Sequence, residues 1–219
     1  EPWLAWCSFP DPHHPMAPPE PWFGRHDPAE IDLPPTFDDP GDGWPDHLLL
    51  IRSLEPTHRW VTPFGPSAEL TRAATAVTYG MIEYIDAGIG RILATLDRLG
   101  AIDDTIIVFT SDHGDMMGSH RLLAKCVMYE EAVRVPMMIR LPRQSSGATI
   151  STPVSQVDLL PTVLEAMGQP LPGQIAALPP QVGAELGNDL RQAGNRQQHE
   201  NGQDDAHTVL LSGSDQGRR

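Results

Sequence analysis

From Ser67 to Leu99 the residues Leu70, Ala73, Val77, Met81, Ile85, Ile89, Ile92, Leu96 and Leu99 recur at steps of three or four. That spacing lays one apolar stripe along a single helix, and Gly100 supplies its stop. Gly88 and Gly90 weaken such a helix by about 1 kcal/mol each relative to Ala, a cost that close packing on a sheet would offset. Asp103-Asp104 then turns the chain into Ile106-Ile107-Val108-Phe109, an unbroken apolar run of strand-favouring residues. The run predicts a strand buried on both faces. Helix, short turn and buried strand together make half of a βαβ unit.

Elsewhere the pattern is shorter-ranged. Val135 to Leu141 reads as a second strand, with Pro136 near its start, where a missing N–H is tolerated. Trp3 to Phe9 reads as a buried strand, halted by Pro10-Asp11-Pro12-His13-His14-Pro15. Asp158 to Met167 reads as a short helix, with Asp158 as cap, Pro161 in the first turn and Gly168 at the end. The stretch from Pro18 to Pro66 has no sustained period and is expected to be a long ordered loop, with helical turns near Asp46 to Leu54. From Gly173 to Arg219 there is no aromatic residue, and Gln, Asn, Gly and Asp dominate. A tail of that composition is expected to order poorly, and Val209-Leu210-Leu211 is too short to change that.

Composition narrows the function classes. The 219 residues carry 29 acidic and 15 basic side chains, a formal charge of −14. No basic stripe is available, which argues against nucleic-acid binding. No run of about 18 apolar residues exists, so no membrane-spanning helix is expected. An acidic chain acting on an anionic substrate must concentrate positive charge locally, in a metal ion or a few basic side chains. Cys7 and Cys126 are the only cysteines. They lack a neighbouring base and read as packing residues. The opening, Glu1 to Phe9, has neither an initiator Met nor a signal-peptide layout, and a fragment of a longer protein is expected.

Candidate chemistry gathers where the Ile106 strand ends. Asp112 and His113 follow it directly, and in open α/β sheets ligands bind beyond the carboxyl ends of strands. A hard carboxylate oxygen beside an imidazole nitrogen suits Ca²⁺, Mg²⁺, Mn²⁺ or Zn²⁺. On the dipeptide alone, a capping Asp at a solvated strand end is the commoner reading. Gly114 would let the backbone approach the site closely. His13, flanked by prolines, could donate to an anion, with His14 as its exposed neighbour. Lys125 is a compact donor for phosphate or sulfate oxygens if it lines a pocket, and an ordinary surface charge if it does not. His120 is a candidate proton donor or a plain loop histidine. Glu130, Glu131 and Arg134 fall at helical spacing, suited to an ion pair that steadies the loop.

Taken together, these residues resemble the sulfatases of the alkaline-phosphatase superfamily. One block runs from Tyr79 to Pro142. It contains Asp86 to Ile92, then Asp104-Thr105-Ile106-Ile107-Val108-Phe109-Thr110-Ser111-Asp112-His113-Gly114-Asp115, then Lys125, Met128-Tyr129-Glu130-Glu131 and Arg134-Val135-Pro136. A second block, Ser8 to Pro15, resembles the family's Pro-His-x-Pro segment. The resemblance covers residues 3–168. It implies an α/β fold, a three-layer alkaline-phosphatase-like sandwich with a mixed, mostly parallel sheet, only partly present in this chain. Residues 1–172 would be the C-terminal part of the catalytic domain, and 173–219 a poorly ordered or divergent tail.

The resemblance also implies roles. Asp112 and His113 correspond to the second pair of metal ligands, commonly to Ca²⁺. Lys125 corresponds to the lysine that contacts the sulfate and the formylglycine nucleophile. His13 corresponds to the histidine on a sulfate oxygen near the leaving group, and His120 lies where many members have a histidine facing the site. The implied activity is two-step hydrolysis of a sulfate ester, of a small molecule or a sulfated carbohydrate. A phosphonate monoester or phosphodiester hydrolase of the same superfamily is the alternative, and a non-catalytic binding remnant is a third. The family's Cys-x-Pro-Ser-Arg nucleophile motif does not occur here. The nucleophile and the first metal ligands are therefore expected upstream, and the chain alone is expected to be inactive. Ser119 stands where many relatives have Asp, and His113 where some have Asn.

Overall fold

The computed structural model describes residues 3–54, 64–144, 146–151, 154–171, 173 and 209–211. The chain divides into two units: Glu1–Thr95 with His113–Val133, and Leu96–Asp112 with Arg134–Arg219.

The first unit is built on loops and helices. Helix α1 (Asp46–Ser53) forms where helical turns were expected, and helix α2 (Ala68–Arg98) is the long helix of the sequence pattern. Its start is local chemistry: Ser67 Oγ accepts the Leu70 N–H at 3.1 Å. Its end is a Schellman motif. Gly100 sits at φ +63°, with Gly100 N–H bonded to Asp97 O and Ala101 N–H to Leu96 O.

The buried face of α2 differs from the expected stripe. Thr71, Ala74, Thr78 and Met81 are buried, whereas Leu70, Ala73, Val77, Ile85 and Ile89 are half-buried and Ile92 and Leu99 exposed. Met81 is buried as expected, but ahead of it the buried positions are shifted by one residue, because what covers the helix there is closely approaching backbone, which small side chains admit. A Cβ on Gly80 would lie 2.3 Å from the Trp22 carbonyl oxygen. A Cβ on Gly118 would lie 2.3 Å from Thr71 Cγ2. Gly88 does serve close packing, but against the Phe9 ring (3.0 Å) rather than a sheet. Helix α3 (Glu130–Val133) is a single turn. The core of this unit is Met116, Leu122, Val127 and Ala132, with Trp44, Leu48, Ile51 and Tyr129 packed against it.

Trp3 to Phe9 is not the buried strand that its apolar run predicted. It forms no strand among the described residues, and Leu4 and Trp6 are 88% and 83% exposed. A strand needs a neighbour to take up its backbone hydrogen bonds, and apolar content alone does not supply one. Cys7 and Cys126, expected as packing residues, are both exposed thiols.

The second unit holds the sheet. Strands β1 (Ile107–Thr110), β2 (Met137–Arg140), β3 (Thr149–Ile150) and β4 (Val209–Leu211) lie in the order β1-β2-β4-β3. The sheet is mixed: β1/β2 and β2/β4 are antiparallel, β3/β4 parallel. Ile107 pairs with Arg140 and Thr110 with Met137. The strand after α2 therefore pairs antiparallel with its neighbour here, and its four residues are half-buried rather than buried on both faces. Strand β2 alternates, with Met137 and Ile139 buried in a cluster with Ile150. It begins after Pro136, whose carbonyl accepts the Thr110 hydroxyl at 2.9 Å. The Asp103-Asp104 turn is held by arginines: Arg140 donates to Ile102 O and Asp103 Oδ1, and Arg143 to Asp104 Oδ1.

Helix α4 (Leu159–Ala166) follows a capping box in which Ser155 N–H donates to Asp158 Oδ2, and Gly168 ends it at φ +67°. Asp158 thus caps the preceding turn. Strand β4 is an ordered segment in the tail where none was expected; the rest of that expectation falls outside the described residues. Among the described residues no helix is long and apolar enough to cross a membrane.

Candidate active site

Asp112 and His113 lie where the two units meet along the chain, Asp112 ending a segment of one and His113 beginning a segment of the other. Asp112 is exposed. Within its unit, the Gln156 amide donates to the carbonyls of Ser111 and Asp112, steadying the turn that leaves β1. Gln156 carries no motif of its own and was not singled out in the sequence.

His113 has its Nδ1 at 2.8 Å from the Gly114 carbonyl oxygen. A carbonyl oxygen only accepts, so Nδ1 carries the hydrogen, and in a neutral imidazole the lone pair would then be on Nε2. A ligating imidazole needs that tautomer, held in just this way by a backbone acceptor. Asp112 offers a hard oxygen beside it. A carboxylate oxygen and an imidazole nitrogen are, by their chemistry, suited to a divalent ion. Among the described residues no group of three or more His, Cys, Asp or Glu is disposed to hold a metal.

Gly114 sets the position of this histidine. Its N–H donates to Ala132 O at 2.8 Å, and a Cβ there would lie 2.0 Å from Glu131 O. The close approach at Gly114 is to the backbone of α3, where an approach of the backbone to the site was expected, and only glycine permits it.

His13 reaches the same neighbourhood from the proline-rich loop. Its Nδ1 lies 2.7 Å from the His14 carbonyl oxygen, and its ring stands edge-on to His113 at 6.4 Å. The His14 ring is 4.0 Å from that of His13. His14 is exposed overall, but desolvation on its packed side, then the charges of His13 and Lys125, depress its proton affinity, with Asp115 opposing. That electrostatic reach places Lys125 with the histidines. His13, His14, His113 and Lys125 thus converge in one unit. Three imidazoles and one ammonium therefore gather in one unit of an otherwise acidic chain. His14, set aside in the sequence as an exposed neighbour, belongs to this group.

Lys125 is delivered by a folded loop. Asp115 Oδ1 accepts the N–H groups of Met117 and Ala124, each at 3.0 Å, so the carboxylate ties the two ends of the excursion. Met116 N–H bonds to Ala124 O and Gly118 N–H to Leu122 O. Met116 and Leu122 are fully buried beneath.

His120 is built into a different set of contacts. It sits at φ +54°, its N–H donating to Thr36 Oγ1 at 3.1 Å and its Nδ1 2.6 Å from Asp39 Oδ2. Its ring stacks on Tyr129 at 4.5 Å, with Trp44 at 5.7 Å. Asp39 Oδ1 accepts the Gly41 N–H at 2.8 Å. That backbone bond, then the His120 hydrogen bond, holds the Asp39 carboxyl below the usual range. Arg52 donates to Asp39 O and Pro40 O and lies over Trp44. Burial, then the charges of Asp39 and Glu131, push the Tyr129 phenol up.

A family model described as Sulfatase matches residues 1–169. The uncharacterized sulfatase YidJ of Escherichia coli (strain K12) is 31% identical over 165 residues, which cover 75% of this chain and 31% of that protein. The choline-sulfatase of Rhizobium meliloti (strain 1021) is 32% identical over 167 residues, covering 76% and 32%. The phosphonate monoester hydrolase SpPMH from Silicibacter pomeroyi superposes with a TM-score of 0.63 at 31% identity, covering 75% of this chain and 33% of that one. The α/β architecture is accordingly alkaline-phosphatase-like, as the sequence blocks implied. The chain spans about a third of the length of the curated relatives it matches. It belongs to the sulfatase family.

Proposed function

We propose that this chain is part of a metal-dependent sulfuric ester hydrolase acting on a sulfated small molecule or carbohydrate. The observation that carries the reading is the convergence of His13, His113 and Lys125 in a chain of this family. Asp112 and His113, joined by one peptide bond, would hold a divalent ion, Ca²⁺ by family resemblance, with Mn²⁺, Mg²⁺ and Zn²⁺ also suited to the donor pair. When bound, the ion supplies Lewis-acid neutralisation of the ester oxygens. The attacking group, a formylglycine by family resemblance, would come from a part of the protein outside this sequence.

The chain's own residues perform the remaining tasks. The Lys125 ammonium donates to the non-bridging sulfate oxygens and offsets the charge that develops on them. His13, with Nδ1 tied to the His14 carbonyl, presents Nε2 for the oxygen of the leaving group. His14, whose proton affinity is depressed by desolvation and then by the charges of His13 and Lys125, adds a hydrogen-bonding group beside Lys125.

A second reading has a specific observation behind it. The superposed SpPMH is named a phosphonate monoester hydrolase, and the same donors would serve a phosphoryl centre. The sulfate reading is preferred because the segment Met128 to Pro136 resembles the sulfatases more than the phosphonate monoester or phosphodiester hydrolases.

Reading the coding DNA upstream of Glu1 is the first test. The proposal expects a strand ending in paired aspartates and a Cys-x-Pro-Ser-Arg motif. A reading frame that lacks both would leave a binding remnant in place of an enzyme. In the complete product, Asp112→Ala should abolish both bound metal and turnover, and unchanged turnover would remove the metal assignment.

A further inference from the structure

We infer that Asp39 fixes His120 as the Nδ1–H tautomer and so presents Nε2 as the proton-exchanging nitrogen of a carboxylate–imidazole pair. The inference rests on the proposed ester hydrolysis only in giving Nε2 a substrate to act on.

The geometry is specific. Asp39 Oδ2 lies 2.6 Å from His120 Nδ1, and an ionised carboxylate only accepts, so the hydrogen between them belongs to the imidazole. Asp39 is itself oriented, because its other oxygen, Oδ1, takes the Gly41 N–H. Arg52 holds the backbone on both sides of that turn through the carbonyls of Asp39 and Pro40. The imidazole has no freedom to turn away: Thr36 takes its backbone N–H, Tyr129 stacks on one ring face and Trp44 stands beside it. Nε2 has no hydrogen-bond partner among the described residues, and 19% of the side chain stays exposed. A base with one nitrogen held by an oriented carboxylate and the other left without a hydrogen-bond partner among the described residues is the arrangement general acid–base catalysis uses.

The residues that build this pair come from the segment 36–52, which contributes Thr36, Asp39, Trp44 and Arg52. That gives part of the long loop, unreadable from sequence, a definite task. Asp39 is a positioning residue; it acts through His120.

The substitution Asp39→Asn tests this sharply. The Gly41 N–H demands an acceptor, so the Asn oxygen must occupy the Oδ1 place and its NH₂ the Oδ2 place. The NH₂ then donates to Nδ1 and forces the hydrogen onto Nε2. Nitrogen-15 NMR of the His120 ring, assigned by His120→Gln, should show the Nδ1–H tautomer in the unsubstituted 219-residue chain and the Nε2–H tautomer in Asp39→Asn. An Nε2–H tautomer in the unsubstituted chain, which needs no variant to fold, overturns the inference, as does an unchanged tautomer in Asp39→Asn. In the complete enzyme the same substitution should lower kcat about 10- to 100-fold, the cost of losing an orienting partner, with KM little changed. An inverted tautomer with unchanged kcat takes His120 out of the reaction and overturns the inference, while the Lys125 and metal assignments stand.

Discussion

A Cβ on Gly114 would lie 2.0 Å from the carbonyl oxygen of Glu131. Gly114, the residue after His113, is pressed onto the backbone of α3, with a 2.8 Å hydrogen bond from Gly114 N–H to Ala132 O beside the contact. Gly114→Ala must push one backbone off the other. Overpacking of this kind costs about 1–3 kcal/mol or more. The midpoint of denaturant unfolding should fall accordingly, and an unchanged midpoint would mean that the approach is not tight.

Asp115 closes the loop that ends in Lys125, through the N–H groups of Met117 and Ala124. Hydrogen bonds to a charged acceptor contribute about 1.5–3 kcal/mol each, and two sharing one oxygen are not fully additive. Asp115→Ala should destabilise the chain by about 2–4 kcal/mol on that basis. Hydrogen exchange supplies the local check: the amides of Met117 and Ala124 should lose protection before those in the middle of α2.

Much of this architecture could be read in advance, and the reasons divide by range. The ends of α2 were legible because Ser67 and Gly100 act on their own neighbours. The end of β1 was legible because an apolar, strand-favouring run leads within two residues into Asp112-His113-Gly114, although the strand is half-buried and not buried on both faces. The face of α2 was misjudged by one residue, since the choice depends on which loop backbone arrives, and Trp22 and Gly118 are far away in sequence. Trp3 to Phe9 was misread because strand formation depends on a partner. The Asp39–His120 pair joins positions 81 apart with no periodicity between them, and no local signal could have announced it. His14 was passed over because its group is assembled by folding.

The Asp39 carboxyl is held below its ordinary value near 3.8 by the Gly41 N–H and His120. A depressed carboxyl stabilises the folded state above the unfolded value and loses that contribution as pH falls through the folded one. The stability difference between the unsubstituted chain and Asp39→Ala should therefore hold steady from about pH 7 to about pH 5 and narrow below about pH 4. A difference that persists unchanged to about pH 2 would contradict the assignment.

Tyr129 should show the opposite dependence at the alkaline end. Burial first, then Asp39 and Glu131, raise its phenol above 10. The folded chain keeps a proton that the unfolded chain releases, so stability declines as pH rises past about 10. Ultraviolet titration should find one tyrosine ionising late. Glu131→Gln should bring it down in part, because desolvation remains; no late tyrosine at all would count against the packing around His120.

The central claim is that His13, Lys125 and the Asp112–His113 pair serve hydrolysis of a sulfate ester. Its most direct test is kcat/KM of the complete enzyme on an aryl sulfate and on a matched aryl phosphate diester, before and after Lys125→Ala. The account predicts preference for the sulfate and a fall in kcat of about 10²-fold or more on losing Lys125. Preference for the phosphate diester, or near-full activity without Lys125, would contradict it.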